Sequence, residues 1–307
     1  MKFEYISKNK IFILGAGASV DYGLPTWIQL NPLIEGFLGE LKNLQYPHRE
    51  EILEWIKLIG EKEKYQTLDD CIFHETSSVK YKENGQDIEL AIFGILKILF
   101  TRLYKKNNSW IKNLNEKIRR REGLDWSDIF FINYNYDNVL SDNILDFSYL
   151  PKTDRERLYR ERIEELSEVE IPCLYPHGLF EYSDRGFLLE QSDTINSHNE
   201  TILESVSCHH SRVHEIIFSV SLDEVNLYIL GLGGGLEINL NNIFFSDVKR
   251  IKNIYITIRK DPGIPEKEHE NKKKSIISFL TKKFDIEKEN ILIHNDCTEL
   301  IEKCFSS

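Results

Sequence analysis

The first residues of this chain that could take part in chemistry form a short glycine-rich segment. Gly15, Ala16, Gly17 and Ser19 directly follow the apolar run Ile11–Leu14. Glycines at the end of a strand let backbone N–H groups approach a phosphate, and the start of the next helix supplies further donors. An ordinary tight turn uses the same residues. This segment, named the glycine loop (residues 15–19), therefore predicts either a pyrophosphate-binding site or a turn.

The glycine loop disfavours a hydride-transferring dehydrogenase. The fingerprint of those enzymes, Gly-x-Gly-x-x-Gly, requires a third glycine at the position of Val20. It also requires an acidic residue about twenty positions further on, at the end of a second strand. Glu35 falls within a helical pattern instead, so neither requirement is met.

A second set of polar residues follows the apolar run Ile129–Ile132. Asn135 and Asp137 lie there, in the segment 133–137. In an open parallel sheet, ligands bind outside the carboxyl ends of the strands, which is where these side chains are expected. Asn and Asp are also common helix caps, and the segment on its own favours that structural role.

His177 and a second glycine loop (residues 231–235) complete the set. A single histidine followed by glycine is weak support for a site, because most such histidines are structural or exposed. The second glycine loop directly follows another apolar run and contains Gly231, Gly233 and Gly234. A bare turn needs fewer glycines, so the chain there must bend sharply or pass close to another group.

Six short apolar runs and several helical patterns must position these residues. The runs are rich in β-branched and aromatic residues and lie at Ile11–Leu14, Ile129–Ile132, Cys173–Tyr175, Leu227–Leu230, Ile254–Ile258 and Ile291–Ile293. Unbroken apolar strands are typical of a parallel sheet with helices on both faces. Helical spacing is present at Asn31–Leu44, Glu50–Glu63, about Ile88–Tyr104, Trp110–Arg121, Pro151–Glu170, Ser275–Phe284 and Thr298–Phe305.

Strands that alternate with helices predict an α/β fold. We expect residues 1–307 to form a single domain with a Rossmann-like, doubly wound parallel sheet. A helical insertion, at about residues 30–121, is expected between the first two long strands. The polar stretch Arg259–Lys274 contains two prolines and is expected to be a surface loop.

The order of the four segments resembles that of the sirtuin-like family. In particular, the glycine loop followed by Gly23-Leu24-Pro25 looks like the nucleotide-binding loop of that family, and the resemblance extends from about Ile11 to Ile258. It implies that NAD contacts Gly15, Ala16, Gly17, Ser19 and Pro25, and that the adenosine ribose lies near Gly231, Gly233 and Gly234. It also makes Asn135, Asp137 and His177 the catalytic residues.

The chain departs from the deacylating sirtuins in three respects. It lacks paired cysteines for their small zinc module, and it has Thr26-Trp27 where they have Phe-Arg. Tyr134 stands where they place a Gln. What remains resembles the zinc-free, sirtuin-like NADases of bacterial antiphage defence.

This resemblance implies an NAD⁺ glycohydrolase that releases nicotinamide and ADP-ribose and depletes NAD during abortive infection. The residue types suit that reaction, since nicotinamide departs neutral and requires no strong acid. Asn135 can bind a ribose hydroxyl or position water, and Asp137 can accept from the nicotinamide carboxamide. His177 can act as a base, because the unperturbed pKa of a histidine is about 6.5. NAD is then a substrate, and no metal is expected.

Two other functions stay open. A non-catalytic sensor of NAD or a related nucleotide would use the same loops without turnover, and an NAD-dependent protein deacylase is less favoured. A metal site is the alternative interpretation of Cys208, His209, His210 and His214, because His210 and His214 are spaced to share a helix face. With no further ligand evident, a solvated helix is the favoured interpretation.

Composition sets limits on partners and location. The net charge of -11 disfavours direct binding to nucleic acid, which requires a basic surface. Five scattered cysteines without a C-x-x-C pair indicate a reducing compartment and no structural zinc. No apolar run reaches the roughly 18 residues of a membrane span. We therefore expect a cytoplasmic protein. The resemblance to the defence NADases implies a separate sensor or activator protein encoded nearby. A homo-oligomer is also expected, with the charged helix at Pro151–Glu170 as a candidate contact surface.

Overall fold

The computed structural model describes most of the predicted elements. It covers residues 2–6, 9–41, 46–60, 65, 68–76, 78–105, 109–120, 128–137, 139–144, 173–174, 179–183, 186–190, 216–220, 224–233, 236–241, 243–246, 251–260 and 264–305. The predicted helix at 151–170 and the Cys208–His214 group lie outside these residues, as do His177 and Gly234.

The described residues form eleven strands. They are β1 (Lys2–Ile6), β2 (Lys10–Leu14), β3 (Ile129–Asn133), β4 (Cys173–Leu174), β5 (Leu179–Ser183), β6 (Gly186–Glu190), β7 (Ile216–Val220), β8 (Val225–Leu230), β9 (Ile243–Ser246), β10 (Ile251–Thr257) and β11 (Ile291–His294). Six of them form the main sheet, in the order β11-β10-β8-β2-β3-β4, and every neighbouring pair is parallel. Each of the six apolar runs singled out in the sequence contributes a strand to this sheet.

The strand order of the main sheet is that of a Rossmann fold. The chain enters at the centre with β2 and continues to β3 and β4 on one side. It then crosses to the other side of β2 and adds β8, β10 and β11. Numbered along the chain, this order is 3-2-1-4-5-6, which reverses direction between β2 and β8. The predicted Rossmann-like α/β class is thus confirmed.

Nine α-helices lie within the described residues. They are α1 (Trp27–Glu40), α2 (Arg49–Gly60), α3 (Leu68–Thr76), α4 (Gly85–Leu103), α5 (Trp110–Arg120), α6 (Val139–Asn143), α7 (Leu236–Asn241), α8 (Glu266–Phe284) and α9 (Cys297–Cys304). The predicted loop at Arg259–Lys274 is wrong in its second half, because α8 begins at Glu266. The first turns of α8 are rich in Glu and Lys, which made them look like a polar loop, but Glu and Lys are both good helix formers.

Helices pack on both faces of the main sheet. Successive strand side chains point to opposite faces, so that Ile11 and Ile13 lie on one face and Phe12 and Leu14 on the other. The first pair belongs to a core shared with α7 and α8. The second pair belongs to a core shared with α5, α6 and α9. This arrangement explains why the strands are apolar without alternation.

Helices α1 to α5 occupy the chain between β2 and β3. The first four have a core of their own, in which Trp55, Ile92 and Leu96 are fully or almost fully buried. Four of the five helices were predicted, with ends displaced by a few residues, whereas α3 was not. Helices therefore fill this stretch, and its interpretation as an insertion stays a prediction.

Three further strands form a smaller sheet, and each of them lies next to a main-sheet strand along the chain. Strands β1, β7 and β9 pair in parallel in the order β1-β7-β9. Each of them directly precedes β2, β8 or β10 in the chain, and these three main-sheet strands are neighbours in the same order. Strands β5 and β6 form a separate antiparallel hairpin.

Candidate functional site

The two glycine loops contact each other at the point where the strand order reverses. The backbone N–H of Gly15 donates to the Leu230 carbonyl at 2.9 Å, and that of Gly17 donates to the Gly231 carbonyl at 2.8 Å. The Gly231 N–H in turn donates to the Thr257 hydroxyl at 2.8 Å. In a Rossmann fold, the dinucleotide binds at this edge of the sheet, at the strand-order reversal, which here lies between β2 and β8.

Close backbone contact accounts for Gly15, Gly17 and Gly231. A Cβ on Gly15 would lie 2.6 Å from Leu232 Cα, and one on Gly17 would lie 2.7 Å from Gly231 Cα. Gly231 has a φ of +65° and leaves no space for a side chain against Ala18 N. The N–H groups of Gly15 and Gly17 are used within the protein, so a phosphate at this edge must be bound by other donors.

Three other residues that were predicted to contact NAD lie in different structural settings, namely Ala16, Pro25 and Gly233. Ala16 begins a 3-10 helix, Ala16–Tyr22, which is named the loop helix. Pro25 is half-buried and precedes Thr26, the residue that caps α1. Gly233 has a φ of +50° and is exposed, with open space where a Cβ would be.

Ser19, Asn135 and Asp137 form a hydrogen-bonded network beside the glycine loop. Asn135 Nδ2 donates to the Gly15 carbonyl at 3.0 Å and to Ser19 Oγ at 3.2 Å. The Ser19 hydroxyl also bonds the Asp137 carboxylate. Ser19 is 2%, Asn135 6% and Asp137 8% exposed, so the network is almost excluded from solvent. The structure thus brings together predicted residues that are more than 100 positions apart in the chain.

Asn135 keeps one polar atom available in this network. Its backbone N–H donates to Asn133 Oδ1 at 3.1 Å, and both of its amide hydrogens are used as above. No described residue donates to its side-chain oxygen, Oδ1. That oxygen can accept a hydrogen bond from a hydroxyl group or from water.

Burial governs the charge of Asp137. Loss of solvent raises the pKa of its carboxyl to about 6. Hydrogen bonds from the Ser19 hydroxyl and the Val139 N–H, the latter at 3.0 Å, act in the opposite direction, because they favour the ionised form. The negative charge of Asp142 adds a smaller upward shift in pKa. Asp137 therefore titrates close to neutral pH, as functional carboxyls often do.

The two tyrosines on either side of Asn135, Tyr134 and Tyr136, point away from the network. The Tyr134 hydroxyl donates to the Asn239 carbonyl of α7 at 3.0 Å, and the ring belongs to the core on that face of the sheet. Tyr136 packs in the helical core instead, with its ring 5.7 Å from that of Phe93. The departure at Tyr134 thus has a structural role, and Tyr136 joins the segment 133–137 to α4.

A second polar region lies at the carboxyl ends of β10 and β11. It surrounds a cavity of about 590 Å³, whose lining includes Asp21, Arg259, Asn295 and Asp296. Burial raises the pKa of Asp21, while the Arg259 guanidinium opposes that shift. Asp296 caps α9 by accepting from the Glu299 N–H at 2.8 Å. The cavity is within the size range of small-molecule sites.

Sequence reasoning missed this second region. Asp21 belongs to the loop helix, while Arg259 and Asn295 follow strands that were correctly predicted. The signal was available, since polar residues just after a buried parallel strand lie at the ligand-binding edge of the sheet. Of these residues, only Arg259 was interpreted from the sequence, as the start of a surface loop.

The described residues offer neither a cluster of metal ligands nor a helix that could cross a membrane. No group of three or more His, Cys, Asp or Glu side chains there is placed to hold a metal ion. None of the described helices is at once long and apolar enough to cross a bilayer. No protein-family model matches the chain, and no curated protein is significantly similar to it. The functional conclusion therefore depends on the residues and their geometry.

Proposed function

We propose that this protein is an NAD⁺ glycohydrolase that cleaves the bond between nicotinamide and ribose. The observation that carries the proposal is the buried network of Ser19, Asn135 and Asp137, which lies beside two interlocked glycine loops at the strand-order reversal. This is the edge at which Rossmann folds bind dinucleotides. The resemblance of these segments to sirtuin-like NADases supplies the reaction.

The proposed reaction is hydrolysis. Water attacks C1′ of the ribose, the bond to the nicotinamide nitrogen breaks, and its electron pair neutralises the pyridinium ring. The proton lost by water passes to His177. The products are nicotinamide and ADP-ribose, and the transition state resembles an oxocarbenium ion, as in other glycoside cleavage. In this scheme Asn135 Oδ1 accepts from a ribose hydroxyl or from the attacking water.

Asp137 is assigned to the nicotinamide carboxamide. A carboxylate with a pKa of about 6 is mostly ionised at pH 7, so it accepts hydrogen bonds and stabilises nearby positive charge. Both properties favour a ligand that carries an amide N–H and a positively charged ring. The same carboxylate, deep in the protein, requires no metal for this role.

The cavity at β10 and β11 is assigned to the remainder of NAD. It begins at Asp21, on the same loop helix that carries Ser19, and continues along the same edge of the sheet. A dinucleotide that lies across the strand-order reversal would contact both regions. Its adenosine ribose would then lie near Gly231 and Gly233, as the resemblance implies.

A nucleotide sensor without turnover is the second candidate. It is favoured by the internal use of both amide hydrogens of Asn135, which gives this side chain a structural role that does not require turnover. Such a protein would bind NAD in stoichiometric amounts and release no nicotinamide. Protein deacylation is the third, less favoured candidate.

The test measures nicotinamide release from NAD⁺ by chromatography, with the protein alone and with the product of the neighbouring gene. We expect release by the wild type under at least one condition and none by His177→Ala or Asn135→Ala. Loss of the Asn135 amide should lower stability by about 1–3 kcal/mol, since it removes two buried hydrogen bonds, one to Gly15 O and one to Ser19 Oγ. Thermal unfolding of each variant must therefore accompany the assay.

The outcomes separate the candidates. Absence of release under both conditions contradicts the glycohydrolase, and equal turnover by wild type and both folded variants contradicts the assignment of His177 and Asn135 as its catalytic residues. NAD binding by calorimetry without release under either condition identifies a sensor, and consumption of an acetyl-lysine peptide identifies a deacylase. In this proposal the protein acts in the cytoplasm as an NAD-depleting antiphage effector, as a homo-oligomer under the control of a separate activator. Size-exclusion chromatography with and without the neighbouring gene product tests both assemblies.

A further inference from the structure

Trp110 is a buried side chain that reaches the loop helix from outside the sheet. It is the first residue of α5 and is 1% exposed. Its indole Nε1 donates to the Ala18 carbonyl at 2.8 Å, across 92 positions of the chain. Few side chains of this size are so completely enclosed, and this one also satisfies its polar atom.

The hydrogen bond from Trp110 fixes the peptide group that leads into Ser19. A peptide unit is planar, so a fixed Ala18 carbonyl also fixes the direction of the Ser19 N–Cα bond. Ser19 Oγ accepts from Asn135 on the other side of the loop helix. The Ala18 N–H donates to Gly15 O at 2.8 Å, the atom that Asn135 also contacts. Ser19 is therefore held between α5 and the segment 133–137.

The far end of the loop helix is held by the end of α4. The Lys105 N–H donates to the Tyr22 carbonyl at 2.8 Å. The Tyr22 and Tyr104 rings stack with centroids 6.2 Å apart and planes within 5°. Gly23, with a φ of +83°, passes so close to Leu103 that a Cβ would lie 2.6 Å from its carbonyl oxygen. Both ends of the loop helix are thus fixed by the α4–α5 region.

We propose that Trp110 is a positioning residue for the reaction, which holds Ser19 in register with Asn135 and Asp137 through the Ala18 carbonyl. This inference rests on the proposed function for its catalytic consequence, but its structural part is independent of turnover. Trp110 touches neither NAD nor the reacting atoms in this scheme. Its effect passes through one hydrogen bond and one peptide plane.

Trp55 provides a matched control. It is 0% exposed and lies in the helical core of α1 to α4. No described residue accepts a hydrogen bond from its buried indole N–H. Phenylalanine at either position removes part of an enclosed ring system, but only Trp110→Phe removes a hydrogen bond to the loop helix. The difference between the two variants therefore isolates that bond from the general cost of the substitution.

The experiment follows the Asp137 carboxyl by ¹³C NMR in aspartate-labelled protein, with the signal assigned by its loss in Asp137→Asn. The variants are Trp110→Phe, Trp55→Phe, Ser19→Ala and Trp110→Phe combined with Ser19→Ala. The Ser19 hydroxyl favours the ionised carboxylate, so Ser19→Ala should move the titration to higher pH. Trp110→Phe should move it in the same direction, Trp55→Phe should not, and the double variant should match Ser19→Ala.

Nicotinamide release provides the second readout. Misplacing a group near the reacting atoms lowers the rate of the chemical step, so Trp110→Phe should reduce kcat about tenfold and leave KM within about threefold. An unchanged Asp137 titration in Trp110→Phe overturns the inference. A further shift in the double variant also overturns it, because Trp110 would then act independently of Ser19. If no protein form releases nicotinamide, the proposed function fails, and the titrations still decide the role of Trp110.

Discussion

The carboxyl edge of the main sheet has two halves with opposite character. At β2 and β3, Ser19, Asn135 and Asp137 are buried and bonded to one another. At β10 and β11, exposed Arg259 and several carboxylates surround an open cavity. The first half has its geometry fixed before any ligand binds, as a site for chemistry requires, whereas the second half can adapt to a polar ligand. Substitutions in the first half should therefore change stability strongly, and those in the second half should change binding.

The largest effect is expected at the contact between the glycine loops. Gly231→Ala places a Cβ against Ala18 N at a φ of +65° and should destabilise the protein by about 3 kcal/mol or more. Gly233→Ala is the control, since its φ of +50° is also unfavourable but its Cβ would meet no atom within 4 Å. It should cost about 1 kcal/mol. Similar urea midpoints for the two variants would show that the loops do not pack as described.

Asp137 should produce an intermediate effect that depends on pH. Its folded-state pKa of about 6 lies above the unfolded value of 3.8, so the folded state keeps a proton that the unfolded state has lost. The stability from this group is complete below pH 3.8 and falls as the pH rises through 6. Asp137→Asn removes the titration and should raise stability at pH 7 by about 1–3 kcal/mol.

Urea unfolding of the wild type and of Asp137→Asn between pH 4 and 7 measures this difference. The two stability curves should converge at acid pH and diverge towards neutrality. Parallel curves would mean that Asp137 ionises as freely in the folded chain as in the unfolded one. Under the proposed function the same variant loses nicotinamide release, and wild-type release should fall as the pH drops through about 6.

The smallest effect on stability is expected in the second half. Arg259 is exposed, so Arg259→Ala should change the free energy of unfolding by less than about 0.5 kcal/mol. Under the proposed function, this substitution should raise KM for NAD about tenfold and leave kcat unchanged, because it removes binding that is equal in the ground and transition states. The control is Lys252→Ala, near the amino end of β10, the strand that Arg259 follows; Lys252 pairs there with Glu224 at 2.8 Å. Equal KM values in both variants would exclude the cavity from the site.

The main sheet could be predicted because its strands are buried on both faces. Strands of this kind are unbroken apolar runs, such as Ile11–Leu14, and such runs can be recognised from the sequence alone. The smaller elements could not be predicted in the same way. Helix α3 begins Leu68-Asp69-Asp70 and shows little periodicity, and α6 and α7 are too short for a helical period to emerge.

Three residues of the candidate site, Ser19, Asn135 and Asp137, could be predicted from the sequence, but the contacts around them could not. The positions of Ser19, Asn135 and Asp137 after predicted strands indicated that they meet, because parallel strands share one carboxyl edge. The sequence gives no sign that the Gly15 and Gly17 N–H groups bond the other loop, nor that Trp110 reaches Ala18. Such contacts join residues far apart in the chain and leave no periodic pattern.

The pairing of β2 with β8 has a consequence for synthesis of the chain. Lys10 lies opposite Asn226, and Lys2 of β1 lies opposite Ile217 of β7. Contacts this distant in sequence are typical of slow folding, because a long loop must close before they form. The glycine loop cannot meet Gly231 until about three quarters of the 307 residues have been made. We therefore expect nascent chains to lack the assembled cleft until Gly231 has emerged from the ribosome.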